Sequence, residues 1–441
     1  MVTYYVLQFI SNKAGGKLLK NLYNRNTLIL LFVIAVVSIN LRLGITSIGP
    51  LMDTLTESLN LSSTEASLLT TVPVICMGIF ALLATVLNKM LGSKITLLLM
   101  LFILFISTLI RGFYPGFITL LISAFFVGLA IAVLAPTISS VIKKYFPGHA
   151  AVAIGISSFF MSAGSATTAA LTGAFYTSTD SYPFALAVWS VFSLLAMIVV
   201  LLIYKPGAKS NMPSQEVPEV KYNFPSPWVQ KMPWLFMLFY ALQAALYFST
   251  LTWLVPMSVE NGMSMIQGGM LLAAVMAMQV IFNLLFPILM EKYPARRNWI
   301  FLILAIGAIA TGLFWTGDHV LMWVAAFMMG IPLGGLYSAA MMLPLDETVT
   351  SQGANSWTAM MQTGGCILGG LFPFVIGWIF DMTHNHNYTM SILLGLYVVG
   401  FLLITAIGNK TEKNYDDYIV KDPENIAGEL YVDKKGHINK D

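Results

Sequence analysis

Arg42 is a charged residue within the otherwise apolar stretch "SINLRLGITSIGP" at residues 38–50. Hydrophobic packing does not explain a cation at this position. Counted from Thr27 at about 1.5 Å per residue, Arg42 lies roughly 22 Å along a predicted apolar helix. An arginine at the centre of a membrane helix costs about 2.5–3.5 kcal/mol on insertion scales, so it needs water, a partner or a ligand. Because a guanidinium presents five donors in a planar fork, Arg42 suits a small planar anion such as a carboxylate.

The sequence around Arg42 contains no acidic residue at the same depth. Asp53 is eleven residues away, about 16 Å along a helix, which is too far for a direct ion pair. One polar face of this helix consists, at helical spacing, of Ser38, Arg42, Thr46, Gly49 and Asp53. We therefore predict that Arg42 and Thr46 line a substrate-binding cavity. The alternative is a structural arginine that reaches the membrane surface or binds a carbonyl of a neighbouring helix.

Polar or amphipathic side chains near the middle of other predicted helices are further candidates for substrate contacts. They are Gln243, Tyr247, Trp253, Gln279, Asn283, Tyr337 and Gln362. Polar residues inside helix bundles also form interhelical hydrogen bonds, so both interpretations stay open for each of these residues.

The composition indicates a membrane protein. Of the 441 residues, 57% are hydrophobic and 10% are charged, and the mean hydropathy is +0.78. Soluble domains carry about 25% charged residues, and windows of roughly 20 apolar residues are typical of membrane-spanning helices. The two cysteines, Cys76 and Cys366, fall in apolar segments of opposite halves and are interpreted as packing residues rather than as a disulfide or metal pair.

A 19-residue hydropathy window predicts twelve membrane-spanning helices. They cover residues 27–52, 64–88, 95–113, 116–142, 150–176, 183–204, 233–258, 265–290, 298–316, 319–343, 353–380 and 388–409. A shift of 202 residues places "IFALLATVL" at 79–87 over "IFNLLFPIL" at 281–289, and Gly128 over Gly330. Such a repeat predicts an all-α membrane protein with two pseudo-symmetric six-helix bundles around a central cavity. The predicted domains are an N-terminal segment at 1–26, lobes at 27–204 and 233–409, a linker at 205–232, and a disordered tail at 410–441.

The distribution of basic residues predicts that both termini are cytoplasmic, since cytoplasmic segments collect lysine and arginine. One side of the membrane would hold Lys89, Lys94, Lys143, Lys144, Lys292, Arg296 and Arg297 among others, and the opposite side only Arg111. The first twenty residues have no basic stretch ahead of an apolar one, so no signal peptide is predicted. We expect a monomer in the cell membrane whose partners are the lipid bilayer and a small-molecule anion, without nucleic acid, cofactor or metal.

Twelve spans in two halves resemble the major facilitator superfamily. More specifically, "NLRLGITSIGPLMDTL" and the following "LSSTEASLLTTVPVICMGIFALLA" are similar to the start of the cyanate and nitroimidazole permease family. That family's pattern there is Asn-Leu-Arg-Pro, then Gly-Pro and Leu-Leu-Thr-Thr-x-Pro. Leu43 stands where the family has Pro. Asn88 stands where the superfamily has Asp between spans 2 and 3, so charge gating by that Asp is not implied.

The resemblance also suggests a gate, because the ends of the fourth and tenth spans approach each other in this superfamily when the inner side closes. Under the 202-residue shift, Lys144 corresponds to Asp346. We predict that Lys143 or Lys144 pairs with Asp346 or Glu347 as a cytoplasmic gate. The alternative is that all four are ordinary solvated charges.

Arg42 and the resemblance together predict a secondary active transporter of a small anionic solute such as cyanate, which works by alternating access of two lobes and is not an enzyme. The alternative is a carrier of the same fold that exports drugs or hydrophobic compounds, which the 26 methionines could suit. A membrane enzyme or sensor is disfavoured, because the sequence has no nucleotide loop, metal-spaced His/Cys set or nucleophile elbow.

Overall fold

The structure is a computed structural model that describes residues 25–114, 116–146, 150–204, 226–292, 295–348 and 351–408. The predicted segment 1–26 lies almost wholly outside these residues, as do positions 205–225 of the linker and the tail at 410–441. The α-helices are Arg25–Thr46, Met52–Leu59, Ser63–Phe80, Leu83–Leu109, Phe117–Tyr145, Ala150–Thr179, Tyr182–Ala187, Ser190–Ile203, Lys231–Glu260, Met265–Lys292, Arg296–Trp315, His319–Glu347, Ser351–Gly370, Phe372–Thr383 and Asn387–Ile407.

Within the described ranges, twelve segments are long and apolar enough to cross a membrane, as the hydropathy window predicted. We number them spans 1 to 12: Thr27–Leu59, Ser63–Phe80, Leu83–Gly112, Phe117–Tyr145, Ala153–Thr179, Tyr182–Ile203, Lys231–Glu260, Met265–Met290, Arg296–Trp315, His319–Glu347, Gly353–Thr383 and Asn387–Ile407. The side of the membrane where span 1 begins and span 12 ends is called the terminus side, and the opposite one the far side. The predicted all-α membrane fold is confirmed.

Span 1 is broken two residues beyond Thr46, close to Arg42. A 3-10 turn at Gly49–Leu51 separates its two helices. Pro50 lies in this turn, where the missing N–H of proline interrupts the helical hydrogen-bond ladder. The chain is already tightened before this turn, since the amide of Ile48 donates to the carbonyl of Ile45 rather than to that of Gly44.

The break predicted at 88–94 lies at one residue, Gly92, whose φ of 78° and ψ of 158° interrupt the helix Leu83–Leu109. Glycine adopts such a positive φ without the steric cost that a Cβ would bring. The chain also leaves the helical path at residues 81–82, immediately after span 2. The predicted end of span 2 at residue 88 was therefore too late.

The 202-residue repeat is visible in the packing of the two lobes, which consist of spans 1–6 and spans 7–12. In the first lobe a Cβ on Gly128 of span 4 would lie 2.5 Å from the Cα of Pro73 in span 2. In the second lobe a Cβ on Gly330 of span 10 would lie 2.5 Å from the carbonyl oxygen of Val275 in span 8. Gly330 follows Gly128 by 202 residues and Val275 follows Pro73 by 202 residues, so the same close helix approach is built twice.

The lobes meet along two seams, where span 2 packs on span 11 and span 5 packs on span 8. At the far side span 7 also touches the break in span 1, since Gly49 packs directly on the carbonyl oxygen of Leu251. A hydrogen bond of 3.0 Å between the hydroxyls of Thr252 and Thr70 joins the lobes nearby. The far side is therefore closed in this structure.

Candidate functional site

A small cavity lies between the lobes around Arg42. Its space for the centres of water-sized molecules is about 20 Å³, which holds about one or two waters. The first lobe contributes three wall residues and the second lobe nine. The wall consists of Arg42, Met77, Met161, Tyr240, Gln243, Ala244, Tyr247, Phe248, Gln279, Asn283, Tyr337 and Cys366.

The guanidinium of Arg42 is bound by aromatic rings and not by hydrogen-bond acceptors. Its Cζ atom lies 4.9 Å from the ring centroid of Tyr247 and 5.4 Å from that of Phe248, within the range of cation–π attraction. Its Nη1 atom is buried and has no hydrogen-bond partner among the described residues. The rings hold the guanidinium while leaving its donors free, so the donors can serve a ligand.

Five wall residues come from one face of span 7, because they recur at helical spacing. They are Tyr240, Gln243, Ala244, Tyr247 and Phe248, at positions i, i+3, i+4, i+7 and i+8 of a helix. The amide of Gln243 reaches the carbonyl of Leu333 at 3.5 Å. This face therefore brings rings and one amide group to the cavity.

Span 8 adds two amide side chains one helical turn apart, Gln279 and Asn283. The hydroxyl of Ser338 lies 3.0 Å from the side-chain oxygen and 3.0 Å from the carbonyl oxygen of Asn283, and 3.1 Å from the carbonyl oxygen of Gly334. Its one proton can be donated to any of the three, and the amide nitrogen of Asn283 is left as a donor. The cavity wall thus carries one cation, several neutral hydrogen-bonding groups and no carboxylate.

Six of the nine residues predicted for substrate binding line this cavity: Arg42, Gln243, Tyr247, Gln279, Asn283 and Tyr337. The other three do not. Thr46 donates to the carbonyl of Arg42 or pairs with Ser165 at 2.9 Å. The indole of Trp253 donates to the carbonyl of Pro373 at 3.1 Å, and Gln362 contacts the sulfur of Met341.

The predicted polar stripe on span 1 faces span 5 rather than open space. The hydroxyl of Ser38 pairs with that of Ser157 at 2.7 Å, and Thr46 pairs with Ser165 two turns further along. Arg42 lies between these two hydroxyl pairs and alone reaches the cavity wall from this helix. Of the two residues of this face that were predicted to line the cavity, Arg42 does and Thr46 does not.

Arg111 was predicted to lie at the far side, near the end of the span at 95–113, and the structure buries it there, with 1% of its surface exposed. Its Nε donates to the hydroxyl of Ser123 at 2.6 Å and its Nη1 to the carbonyl of Gly44 at 2.9 Å. Because the amide of Ile48 donates to Ile45, that carbonyl lacks its helical donor, and it accepts from Arg111 and, at 3.4 Å, from the hydroxyl of Ser47. Its role is to stabilise the broken helix next to Arg42.

The predicted gate residues make a different pairing in this structure. Asp346 and Glu347 lie 3.4 Å and 3.1 Å from the guanidinium of Arg296, at the start of span 9 in the same lobe. Lys143 and Lys144 are exposed. The pairing between lobes is absent from the described contacts, so it stays a prediction for a conformation in which the terminus side is closed.

Several wall residues were not predicted, namely Met77, Met161, Tyr240, Ala244, Phe248 and Cys366. Helical spacing from Gln243 and Tyr247 could have identified the three on span 7. Cys366 was interpreted as a packing residue, yet its sulfur faces the cavity and lies 4.0 Å from the hydroxyl of Tyr240. The two methionines carry no pattern that separates them from core residues.

Comparison with known proteins agrees with this architecture. The family model of the Major Facilitator Superfamily matches residues 29–373, so the chain belongs to that superfamily of membrane transporters. The chain is 27% identical over 378 residues to the cyanate transport protein CynX of Escherichia coli (strain K12), covering 85% of this chain and 96% of the relative. It is 24% identical over 390 residues to the 2-nitroimidazole transporter of the same organism, covering 87% and 95%.

Among solved structures, the fold is similar to a bacterial homolog of the human lysosomal transporter Spinster in an inward-facing and unoccupied conformation. The TM-score is 0.70 at 17% identity, covering 87% of this chain and 94% of that one. The family resemblance seen in the sequence is confirmed, and the chain is a multi-pass membrane transporter rather than an enzyme.

Proposed function

We propose that this protein is a secondary active transporter of a small planar anion, which binds Arg42 and crosses the membrane by alternating access of the two lobes. The observation that carries the proposal is the guanidinium of Arg42, which lies in the cavity between the lobes without a hydrogen bond or ion pair to any described residue. A cation at this depth is costly without a counter-charge. An anionic substrate supplies that counter-charge.

The chemistry of the cavity favours a charged and compact substrate. Two parallel N–H groups of a guanidinium match two oxygens, or one oxygen and one nitrogen, of a flat anion. The amides of Gln279 and Asn283 offer neutral donors on the part of the wall that belongs to the second lobe. Because the cation belongs to one lobe and the amides to the other, a bound anion would contact both.

The size of the cavity disfavours the alternative of a drug exporter in the present conformation. Space for one or two waters suits a solute of a few atoms, whereas pockets for drug-sized ligands are typically larger. The relatives include a cyanate transport protein, and cyanate is a linear anion of three atoms. The orientation with the terminus side in the cytoplasm rests on the distribution of basic residues alone.

A second candidate substrate is a flat nitro-substituted heterocycle. Four aromatic rings line the cavity, those of Tyr240, Tyr247, Phe248 and Tyr337, and aromatic faces stack on flat rings. The two nitro oxygens could accept from Arg42 as a carboxylate would. One relative is named as a 2-nitroimidazole transporter.

A thermal-unfolding screen on purified protein tests the proposal. Cyanate, formate, nitrate, chloride and 2-nitroimidazole are compared on the wild type, Arg42→Ala and Arg42→Lys, with Lys144→Ala as a control that removes an exposed cation. A ligand at a hundred times its Kd stabilises by about 2.7 kcal/mol. We expect a flat anion to stabilise the wild type and Lys144→Ala but not Arg42→Ala. Equal stabilisation of Arg42→Ala would contradict the proposal, and stabilisation by 2-nitroimidazole alone would favour the second candidate.

A further inference from the structure

Asp381, near the end of span 11 on the far side, binds the first turn of span 2 in the other lobe. Its two carboxylate oxygens accept from the backbone amides of Ser63 at 2.7 Å and Thr64 at 2.8 Å. The hydroxyl of Thr64 donates to the same carboxylate. These bonds join residues more than 300 positions apart and belong to neither lobe alone.

The first turn of span 2 divides its hydrogen bonds between the lobes. The amides of Ser62 and Glu65 are satisfied within the first lobe by a capping box, at 2.8 Å and 3.1 Å. The amides of Ser63 and Thr64, between them, are satisfied by Asp381 of the second lobe. The first amides of a helix have no intrahelical acceptor, and negative charge is stabilising at this end. Half of this cap therefore depends on the second lobe.

The helices approach closely around this contact. Gly377 lies four residues before Asp381, and a Cβ there would lie 2.7 Å from the carbonyl oxygen of Ser63. A larger residue would push span 11 away from span 2. Asp381 itself is only partly buried, so water can replace the carboxylate when the lobes separate.

We propose that Asp381 is the latch of the far-side gate. Resting on the alternating access proposed above, the inference is that the lobes must separate here to admit or release substrate on the far side. Separation transfers the amides of Ser63 and Thr64 to water and frees the carboxylate. The capped state is favoured by charge-assisted hydrogen bonds, so Asp381 biases the resting carrier toward the conformation closed on the far side.

Distance measurement between spin labels on the far side tests the latch without any substrate. Tyr114 and Val320 are exposed far-side residues of the two lobes, and each is replaced by a labelled cysteine in a Cys76→Ala, Cys366→Ala background. We expect Asp381→Asn to raise the population with long label distances about tenfold, as expected for the loss of one or two charge-assisted hydrogen bonds.

Glu65→Ala is the matched control, because it removes a carboxylate from the same cap within a single lobe. It should lower the unfolding temperature and leave the label distances unchanged. Thr64→Val provides a second route if Asp381→Asn does not fold, since it removes the hydroxyl donor and should shift the distances in the same direction by less.

Unchanged distances in folded Asp381→Asn, or in Thr64→Val where the first variant fails to fold, would overturn the latch. An equal shift in Glu65→Ala would overturn it too, because a general loss of capping would then explain the effect. These outcomes are separate from the anion screen: the screen can fail for every anion while the distance shift persists, and the reverse can also occur.

Discussion

Arg42 and Arg111 are two arginines inside the same lobe, and their surroundings differ in the way that separates a binding residue from a structural one. Arg111 donates hydrogen bonds to the hydroxyl of Ser123 and the carbonyl of Gly44. Arg42 rests on two aromatic rings and donates to no described residue. Burial alone does not reveal function, since the more deeply buried arginine is the structural one. The number of hydrogen bonds donated to the protein does: Arg111 has one nitrogen, Nη2, without a partner, whereas Arg42 donates no hydrogen bond to a described residue.

Arg296 extends the comparison to the second lobe. It is also buried, with 2% of its surface exposed, but two carboxylates from the end of span 10 lie beside it. The charge of Arg296 is balanced by two carboxylates, and Arg111 donates hydrogen bonds to a hydroxyl and a backbone carbonyl. Arg42 has no carboxylate partner and donates no hydrogen bond to a described residue. These three environments predict different effects of substitution.

The largest effect is expected at Arg42. Arg42→Ala should reduce anion uptake into proteoliposomes by about 100-fold or more, because two charge-assisted hydrogen bonds to the anion are lost. Arg42→Lys keeps the charge but not the planar fork, and should lose most of the uptake. Neither change should lower stability by more than about 1 kcal/mol, since no hydrogen bond to the protein is broken. Wild-type uptake by Arg42→Ala would remove the distinction between the two arginines.

Arg111 should show the opposite pattern, with the main effect on folding. Arg111→Met removes the hydrogen bonds to the hydroxyl of Ser123 and to the carbonyl of Gly44, which then keeps only a 3.4 Å bond from the hydroxyl of Ser47. This should cost about 3 kcal/mol of stability. Denaturant unfolding measured beside Arg42→Ala gives the comparison directly. A stable Arg111→Met protein without uptake would instead assign Arg111 to the transport machinery.

A smaller effect is expected at the two carboxylates that pair with Arg296, those of Asp346 and Glu347. Glu347 is buried, whereas the side chain of Asp346 is 22% exposed. Glu347→Gln should therefore lower stability by about 2 kcal/mol, and Asp346→Asn by less. The reason is that removing a buried carboxylate leaves the buried guanidinium without its better-shielded partner, which costs more stability than removing a partly exposed one. The unfolding temperatures of the two variants check this order. A reversed order would mean that the more exposed carboxylate, Asp346, contributes more to stability than the buried Glu347.

The smallest effect concerns His386, a buried base that can lose its charge, unlike an arginine. Burial lowers the pKa of His386 to about 4 from 6.5. Glu260 lies 3.8 Å away and would favour the charged form, but its side chain is half exposed, so burial dominates. The unfolded protein then binds the proton more readily than the folded one, and stability falls as the pH drops from about 6.5 toward 4.

At pH 5.5 the loss attributable to His386 should be about 1 kcal/mol relative to pH 8. His386→Phe retains the stacking on Phe380, whose ring lies 4.2 Å away, and removes the titration. Unfolding of both proteins at the two pH values measures the difference. An identical pH dependence would show that other groups account for the acid sensitivity.

The sequence was sufficient to predict the twelve spans, the internal repeat and the absence of an acid beside Arg42, because hydropathy and helical spacing depend on local order. It could not predict helix rotation. Trp253 and Tyr247 lie on the same helix, and both are aromatic side chains with one polar group. Trp253 nevertheless donates to the carbonyl of Pro373, whereas Tyr247 lines the cavity. The sequence predicts the depth of both residues in the membrane, but it does not predict which neighbouring helix each side chain contacts.

Contacts between distant parts of the chain were the least predictable. Asp381 lies at the end of a span, where a carboxylate is unremarkable, and its partners lie 317 and 318 residues earlier. Arg111 similarly reaches the carbonyl of Gly44, which lacks its usual helical donor because the amide of Ile48 donates to Ile45 instead. Neither relation has a sequence signal, since each depends on how two helices are placed side by side.

The unpaired guanidinium also has an electrical consequence for the proposed cycle. With an anion bound, the site at mid-membrane is neutral, and once the anion has left it carries one positive charge. The membrane voltage, worth about 2.3 kcal/mol per charge per 100 mV across the whole bilayer, would then act on the return of the empty carrier and not on the loaded step. Anion exchange should consequently be less sensitive to voltage than net anion uptake, which flux measurements under an imposed potassium diffusion potential can compare.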